Sequence, residues 1–252
     1  MDRLRVLQSR CELLRSLHVP GDPLLLPNVW DVSSARAVVA AGFPVVATTS
    51  GGVAASLGYE DHEGAPGEEM LAAAARIGRS VDVPVTVDAE AGYGLEPAEL
   101  VAALSDAGAA GCNLEETDHS NETVRDAAEQ APWLRRVREA ATAAAFPLVI
   151  NARIDVFLAG DAAHGDLVPD ALERASAYLD AGADCVYPIA LREPEAVRTF
   201  VSEAGGPVNI LALPQAPSLG ELAAVGVARI SWGSLLHRET MEQLERRVAN
   251  LS

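Results

Sequence analysis

Residues 83–94 read Val-Pro-Val-Thr-Val-Asp-Ala-Glu-Ala-Gly-Tyr-Gly. The apolar run at the start of this stretch predicts a short buried strand. Asp88 and Glu90 stand two residues apart, so a strand would direct both carboxylates to one face at its C-terminal end. Gly92 and Gly94 then allow a sharp turn and a close approach of the backbone to a ligand. Paired carboxylates beside bare backbone suit a hard divalent cation such as Mg2+, and a solvated acidic loop is the alternative interpretation.

A repeating pattern surrounds this stretch on both sides. An alanine-rich helical segment ends in a small residue and glycine, the usual residue just past a helix end, and a short apolar run follows. The apolar runs predict eight strands, at roughly 24–30, 44–49, 84–88, 110–115, 147–152, 184–187, 207–213 and 228–231. Helical patterns separate them, at about 33–41, 67–80, 96–107, 122–144, 168–181, 193–204, 217–224 and 235–249.

Strict alternation of strands and helices predicts an α/β fold of the (β/α)8, or TIM, barrel type. A doubly wound open sheet is the alternative, and the lack of a Gly-x-Gly-x-x-Gly motif after the first strand weakens a dinucleotide-binding interpretation. Residues 2–17 predict an extra amphipathic helix before the barrel. No linker divides the sequence, so we predict a single barrel domain over residues 1–252.

Composition restricts the chemistry. The formal net charge is −17, with 36 acidic and 19 basic residues, and such a surface repels nucleic acids and anionic membranes. Every basic residue is arginine, which excludes a Schiff-base lysine and a Walker A lysine. Three widely spaced cysteines, Cys11, Cys112 and Cys185, indicate reduced thiols rather than a disulfide framework. With no charged-then-apolar leader and no long apolar run, we expect a cytoplasmic protein.

The active sites of such barrels lie at the C-terminal ends of the strands, where this sequence places several carboxylates. Asp61, Asp88, Glu90 and Glu115 can together form a Mg2+ site, partly through water, although Asp61 could be an ordinary loop acid. Arg153 follows the fifth strand and can bind a substrate carboxylate in bidentate fashion. An ion pair of Arg153 with Asp155 or Glu115 is the alternative.

Small polar residues after the second strand form a second candidate group. Thr49, Ser50 and Gly51 offer hydroxyl and backbone N–H groups for an anionic oxygen, or they simply end a strand. Trp30, at the end of the first strand, is a further candidate substrate contact. In the loop after the fourth strand, His119 is a candidate general acid, with an unengaged loop histidine as the alternative.

Five ordered motifs resemble the isocitrate lyase/phosphoenolpyruvate mutase superfamily over about residues 24–235. They are Pro27-Asn28-Val29-Trp30-Asp31, Thr48-Thr49-Ser50-Gly51-Gly52 with Ser56-Leu57-Gly58, Asp88-Ala89-Glu90-Ala91-Gly92-Tyr93-Gly94, Asn113-Leu114-Glu115-Glu116 and Asn151-Ala152-Arg153-Ile154-Asp155. The resemblance implies a (β/α)8 fold and a site, dependent on Mg2+ or alternatively Mn2+, for small 2-oxo acids. It also implies cleavage or formation of a C–C or P–C bond through an enolate that the metal stabilises.

Carried over by residue, the resemblance makes Asp88 the direct metal ligand, while Asp61, Glu90 and Glu115 hold the metal's waters. Arg153 would bind the substrate carboxylate. We therefore predict Arg153, Glu115 and His119 as the catalytic residues.

By the same resemblance, Thr49, Ser50 and Gly51 would receive the oxo-acid oxygens. Asn121 would replace the asparagine of the gating loop found in the mutases and phosphonopyruvate hydrolases.

The sequence departs from the superfamily pattern at three places. Glu90 stands where many members carry aspartate. The lyase signature Lys-Lys-Cys-Gly-His is absent, which argues against isocitrate or methylisocitrate lyase activity. The loop at 117–123 has no lysine, although a trianionic phosphonate favours cationic partners.

Three functions stay open at this stage. The first is a Mg2+-dependent lyase or decarboxylase acting on a small 2-oxo or 2-hydroxy dicarboxylic acid. The second is P–C bond chemistry, as in a phosphoenolpyruvate mutase or phosphonopyruvate hydrolase, and the third is an oxo-acid-binding protein without turnover. From the resemblance we also expect a homo-oligomer, dimer or tetramer, although the simpler interpretation of the apolar stripe in the last helix is packing on its own barrel.

Overall fold

The structure, a computed structural model, describes residues 3–158 and 163–251. The strands are β1 Leu24–Leu26, β2 Asn28–Val29, β3 Val46–Thr48, β4 Val85–Asp88, β5 Gly111–Leu114, β6 Thr117–Asp118, β7 Thr123–Val124, β8 Val149–Ile154, β9 Cys185–Pro188, β10 Asn209–Leu211 and β11 Arg229–Ser231. The helices are α1 Arg3–Ser16, α2 Val32–Ala40, α3 Ser50–Leu57, α4 Gly67–Ser80, α5 Pro97–Ala107, α6 Ala127–Ala143, α7 His164–Asp180, α8 Pro194–Glu203, α9 Leu219–Ala224 and α10 Leu235–Ala249, with a short 3-10 helix at Val156–Leu158.

The parallel strands close into a ring. Six of them pair in the order β2-β3-β4-β5-β8-β9, and three in the order β1-β11-β10. A parallel bridge between Val186 and Val208 joins the two sets on one side. On the other side, only Pro27 separates β1 from β2, so these two pieces act as one strand. The predicted (β/α)8 barrel is therefore confirmed, and its strands are nearly all buried, as parallel strands covered by helices should be.

The additional helix α1 closes the N-terminal end of the barrel, in agreement with the prediction for residues 2–17, of which residue 2 lies outside the described residues. Its Leu14 side chain packs directly on Gly111 of β5, where a Cβ atom would stand 2.7 Å from the leucine. Arg15 on the same helix donates to the Asp184 carboxylate at 2.8 Å. This plug leaves the opposite end of the barrel for a site.

Helix α3, the β6–β7 hairpin and the short 3-10 helix were not predicted from the sequence. Helix α3 begins directly at Ser50, in a stretch to which the sequence analysis assigned no helix, and glycine and serine at its start are weak helix formers. A β-hairpin of β6 and β7 replaces the start of the helix predicted at 122–144, which begins only at Ala127. The Asp118 side chain accepts the Ser120 N–H at 2.9 Å, and this local bond favours a turn over a helix.

Smaller corrections concern element ends. The helix predicted at 168–181 already begins at His164, with Pro169 inside it. The strand predicted at 147–152 runs to Ile154 and thereby includes Arg153.

The last helix does not pack as the sequence analysis expected. Helix α10 has no buried residue, and Met241, Leu244 and Val248 of its apolar stripe are exposed by 39%, 51% and 54%. The interpretation that this stripe packs on its own barrel is therefore wrong for these three side chains. None of the helices in the described part of the chain combines the length and apolar character that crossing a bilayer requires.

We predict that Gly92→Ala destabilises the protein by about 2–3 kcal/mol, because alanine there adopts a positive φ and also collides with a neighbour. Gly92 has φ +94°, and a Cβ atom would lie 2.9 Å from the Trp133 ring. Gly58 is a matched control, since it has φ +90° but open space around its Cβ position. Gly58→Ala should therefore cost only about 1 kcal/mol. Equal losses for both variants in urea unfolding would contradict this assignment.

Candidate active site

Asp88 ends β4 at the open end of the barrel, and its carboxylate is held from one side only. The Ser50 N–H donates to Asp88 Oδ2 at 3.0 Å, and the Asp88 N–H donates to the Thr48 hydroxyl at 2.8 Å. The other oxygen, Oδ1, is buried and has no hydrogen-bond partner. Burial raises the pKa of Asp88, while the Arg153 charge acts in the opposite direction. A buried carboxylate oxygen without a donor calls for a ligand or an ordered water.

Asp61 offers a second oxygen of this kind. Its carboxylate lies over the start of α3, where a Cβ atom on Gly51 would stand 2.5 Å from Asp61 Oδ2. Because Gly51 has no side chain, the loop that carries Asp61 can approach helix α3. Asp61 Oδ1 is likewise buried without a partner. Asp88 and Asp61 thus each present one carboxylate oxygen without a hydrogen-bond partner, while their other oxygen contacts the start of α3.

Glu90 is buried beside them, but its carboxylate is committed elsewhere. Its Oε1 atom accepts the main-chain N–H of Glu63 at 2.7 Å. The pKa of Glu90 is raised to about 7, mainly by burial and in part by the Asp88 charge, while this hydrogen bond acts in the opposite direction. Glu90 has φ +48°, a conformation that non-glycine residues adopt rarely and that clusters at functional sites.

Glu115 is shared between two basic side chains. One of its oxygens contacts His119 Nε2 and the other contacts Arg153 Nη1. Burial raises the pKa of Glu115, which the Arg153 charge opposes, and the hydrogen bond that His119 donates to Glu115 raises the pKa of His119. The ring of His119 also lies 5.3 Å, centroid to centroid, from that of His62. A proton on His119 is therefore stabilised at the mouth of the barrel.

Arg153 is 9% exposed and lies between two carboxylates. Besides its ion pair with Glu115, its Nε and Nη2 atoms donate to the Asp155 carboxylate at 2.6 and 3.2 Å. Both ion pairs that the sequence analysis kept as alternatives are therefore present. These contacts use three of the five N–H donors of a guanidinium, which leaves two for a substrate carboxylate.

A second buried network supports Asp155 from below, and sequence reasoning missed it. Glu116 is fully buried and accepts the Asp155 N–H at 2.9 Å. Its other oxygen accepts from Arg174 at 3.0 Å and from the Tyr178 hydroxyl. The available signal was Glu116 itself, a second carboxylate directly after Glu115 whose partners lie about sixty residues further on, in α7.

The remaining predicted site residues differ in the partners that they contact. Thr49 and Ser50 stand at the N-terminus of α3, and the Thr49 hydroxyl is 2.8 Å from the Ser234 hydroxyl. Trp30 packs edge-on against His237, with ring centroids 4.9 Å apart. Asn121 is exposed at the tip of the β6–β7 hairpin and donates to Asp118 at 2.8 Å. The Asn121 side chain thus bonds within its own hairpin and not to Asp88, Asp61 or Arg153.

Two further findings concern metal binding and thiol chemistry. No group of three or more His, Cys, Asp or Glu side chains in residues 3–158 and 163–251 is arranged to hold a metal ion alone. All three cysteines are free and buried, and burial raises the pKa of each thiol to about 12. Such thiols are poor acids and nucleophiles near neutral pH.

The sequence of this chain is similar to those of several known proteins. The family model of phosphoenolpyruvate phosphomutase matches residues 14–252. An uncharacterised protein of Mycobacterium tuberculosis H37Rv is 34% identical over 87% of this chain and 81% of its own length. A 2-methylisocitrate lyase of Salmonella typhimurium is 31% identical over 77% of this chain and 70% of its own.

A solved structure is similar over nearly its whole length. It is a Burkholderia cenocepacia J2315 protein provisionally described as a phosphonomutase, with 40% identity and a TM-score of 0.91. The similarity covers 96% of this chain and 99% of the other. The chain thus shares its fold with this protein.

We predict that Glu116→Ala destabilises the protein by about 3–5 kcal/mol, because it leaves the buried Tyr178 hydroxyl and Asp155 N–H without their acceptor and leaves Arg174 with only the half-exposed Asp170 as an ion-pair partner. Glu195→Ala is the control, since its ion pair with Arg198 is exposed and should contribute nothing measurable. Urea unfolding of both variants measures the difference. A loss for Glu116→Ala no larger than that for Glu195→Ala would show that the network does not support the site.

Proposed function

Because this chain belongs to the phosphoenolpyruvate phosphomutase family of lyases and mutases, we propose that it is a Mg2+-dependent lyase or decarboxylase. Its substrate would be a small 2-oxo or 2-hydroxy dicarboxylic acid. The observation that carries the proposal is the pair of unsatisfied, buried carboxylate oxygens on Asp88 and Asp61. They lie at the same end of the barrel as Arg153, whose guanidinium keeps two free donors.

The donor set fits Mg2+ in particular. This ion prefers carboxylate oxygens but keeps several of its waters, so one or two protein ligands suffice. Asp88 and Asp61 would hold it through their unpaired oxygens. When bound, the ion would act as a Lewis acid that stabilises negative charge on a substrate oxygen.

The positively polarised N-terminus of α3 supports anionic groups at this place. The Ser50 N–H is already given to Asp88, so it orients the carboxylate rather than the substrate. The Thr49 hydroxyl and the Gly51 backbone stand next to it for the oxygens of an oxo acid. Arg153 would bind the substrate carboxylate with its two remaining donors, held rigid by Glu115 and Asp155.

Cleavage of the bond next to the oxo-bearing carbon leaves an enolate that must gain a proton. We assign this proton to His119, which Glu115 stabilises in its charged form. None of the three thiols can serve, because each is buried with a pKa of about 12. Imidazole is the side chain whose ordinary pKa suits such a transfer near neutral pH.

P–C bond chemistry is the second candidate, and the family match together with the Burkholderia protein favours it. The lysine-free sequence opposes it, since the hairpin after β5 offers no lysine to a phosphonate. Phosphorus NMR on phosphonopyruvate distinguishes the two candidates directly. An oxo-acid-binding protein without turnover is the third, and metal binding without product formation would support it.

We predict that the protein turns over at least one acid from a panel of oxaloacetate, 2-hydroxy and 2-methyl dicarboxylates, and that EDTA abolishes the turnover. Asp88→Asn should lower kcat/KM by about a thousandfold, since it removes the direct ligand of a Lewis acid that contributes several kcal/mol. Asp118→Asn is a matched control, because Asp118 lies on the neighbouring hairpin and its side chain bonds Ser120 and Asn121 of that hairpin. Turnover that persists in EDTA would contradict the proposal.

A further inference from the structure

The loop that carries Asp61 is tied to the turn after β4 by two reciprocal hydrogen bonds. The main-chain N–H of Glu63 donates to Glu90 Oε1 at 2.7 Å. In return, the main-chain N–H of Tyr93 donates to Glu63 Oε1 at 2.7 Å. Glu63 therefore binds the turn through both its backbone and its side chain. We call residues 58–66 the Asp61 loop and these two bonds the latch.

Packing around the latch leaves Glu90 little freedom. Glu90 is only 3% exposed, and the Tyr93 hydroxyl donates to the Asp88 carbonyl oxygen at 3.3 Å, a bond within the same turn. Tyr93 in turn presses on the start of α4, where a Cβ atom on Gly67 would stand 2.5 Å from Tyr93 Cβ. The Glu90 carboxylate is thus directed at the loop by its surroundings.

The backbone on both sides of the latch is in the left-handed region. His62 and Glu63 have φ +65° and +57°, and Glu90 and Tyr93 have φ +48° and +57°. Such a conformation is strained for a non-glycine residue and persists only when its surroundings hold it in place. The latch connects these two strained segments to each other. Without the latch, the Asp61 loop would lose the two hydrogen bonds that hold this strained conformation.

We propose that Glu90 is a positioning residue, which holds Asp61 against the start of α3 by accepting the Glu63 N–H. In this role the length and acceptor oxygen of the side chain matter, and its negative charge does not. This differs from the role that the resemblance implied, in which the charge of Glu90 holds water on a metal. The part of the proposal that concerns metal affinity rests on the proposed function, whereas the part that concerns the loop does not.

Two substitutions at position 90 separate length from charge. Glu90→Asp keeps the charge but shortens the side chain by one carbon–carbon bond, about 1.5 Å, which takes the oxygen out of reach of the Glu63 N–H. Glu90→Gln keeps the length and an acceptor oxygen but removes the charge. A metal-water ligand should tolerate aspartate and fail with glutamine, and a latch should do the reverse.

Two measurements read out the result without relying on turnover. Hydrogen–deuterium exchange reports on residues 58–66, and Mn2+ affinity by electron paramagnetic resonance reports on the metal site. We expect Glu90→Asp to speed exchange in the Asp61 loop and weaken Mn2+ binding, each by about tenfold, the usual size of one or two lost hydrogen bonds. Glu90→Gln should stay within about twofold of the wild type in both measurements.

Glu63 provides the matched pair at the other end of the latch, on a less buried site where folding is not at risk. Glu63→Ala removes the acceptor for the Tyr93 N–H and should speed loop exchange, whereas Glu63→Gln keeps that acceptor and should not. Faster exchange in both glutamine variants, or unchanged exchange in both Glu90→Asp and Glu63→Ala, would overturn the latch. If the wild type binds no Mn2+, the proposed function fails, and the exchange measurement alone decides the latch.

Discussion

The site depends on one ion-pair arrangement, the Arg153 guanidinium fixed between Glu115 and Asp155. Six carboxylates lie at or near this end of the barrel, namely those of Asp61, Asp88, Glu90, Glu115, Glu116 and Asp155, and their mutual repulsion in a poorly solvated space would be severe. Arg153 forms ion pairs with two of them, and its charge opposes the rise in the pKa of Asp88 that burial causes. Arg174 forms an ion pair with Glu116. Asp61, Asp88 and Glu90 have no arginine partner among the ion pairs of the described residues, and the unpaired oxygens of Asp61 and Asp88 are the ones left for a cation.

This arrangement also explains how arginine supplies the cationic contacts of the site in a chain without lysine. A guanidinium cannot be deprotonated in a protein, so burial does not remove its charge. Its planar fork reaches Glu115 and Asp155 at once, which a compact ammonium could not do with the same geometry. The cation therefore serves both as a support for the carboxylates and as a rigid contact for a substrate.

The barrel and the residues at its strand ends followed from the sequence, because parallel buried strands and helix-terminal glycines leave clear periodic signals. Helix α3 did not, because its Ser-Gly-Gly start has weak propensity and its position is set by packing on Trp30 and Ser234. The neighbourhood of Asp88, Asp61 and Arg153 was predicted from their order along the chain. The engagement of Glu90 was not, since it depends on where the backbone of Glu63 comes to lie. Contacts to a main-chain N–H carry no residue-type signature that a sequence could display.

The buried thiols have a practical consequence for following motion in this protein. Cys11, Cys112 and Cys185 are each 0% exposed, and lysine does not occur in the sequence. A cysteine introduced at Glu60, an exposed position in the Asp61 loop, would therefore be the one readily reactive thiol in the described part of the chain. The natural protein is thus already a background for attaching a single spectroscopic label, with no cysteine to remove first.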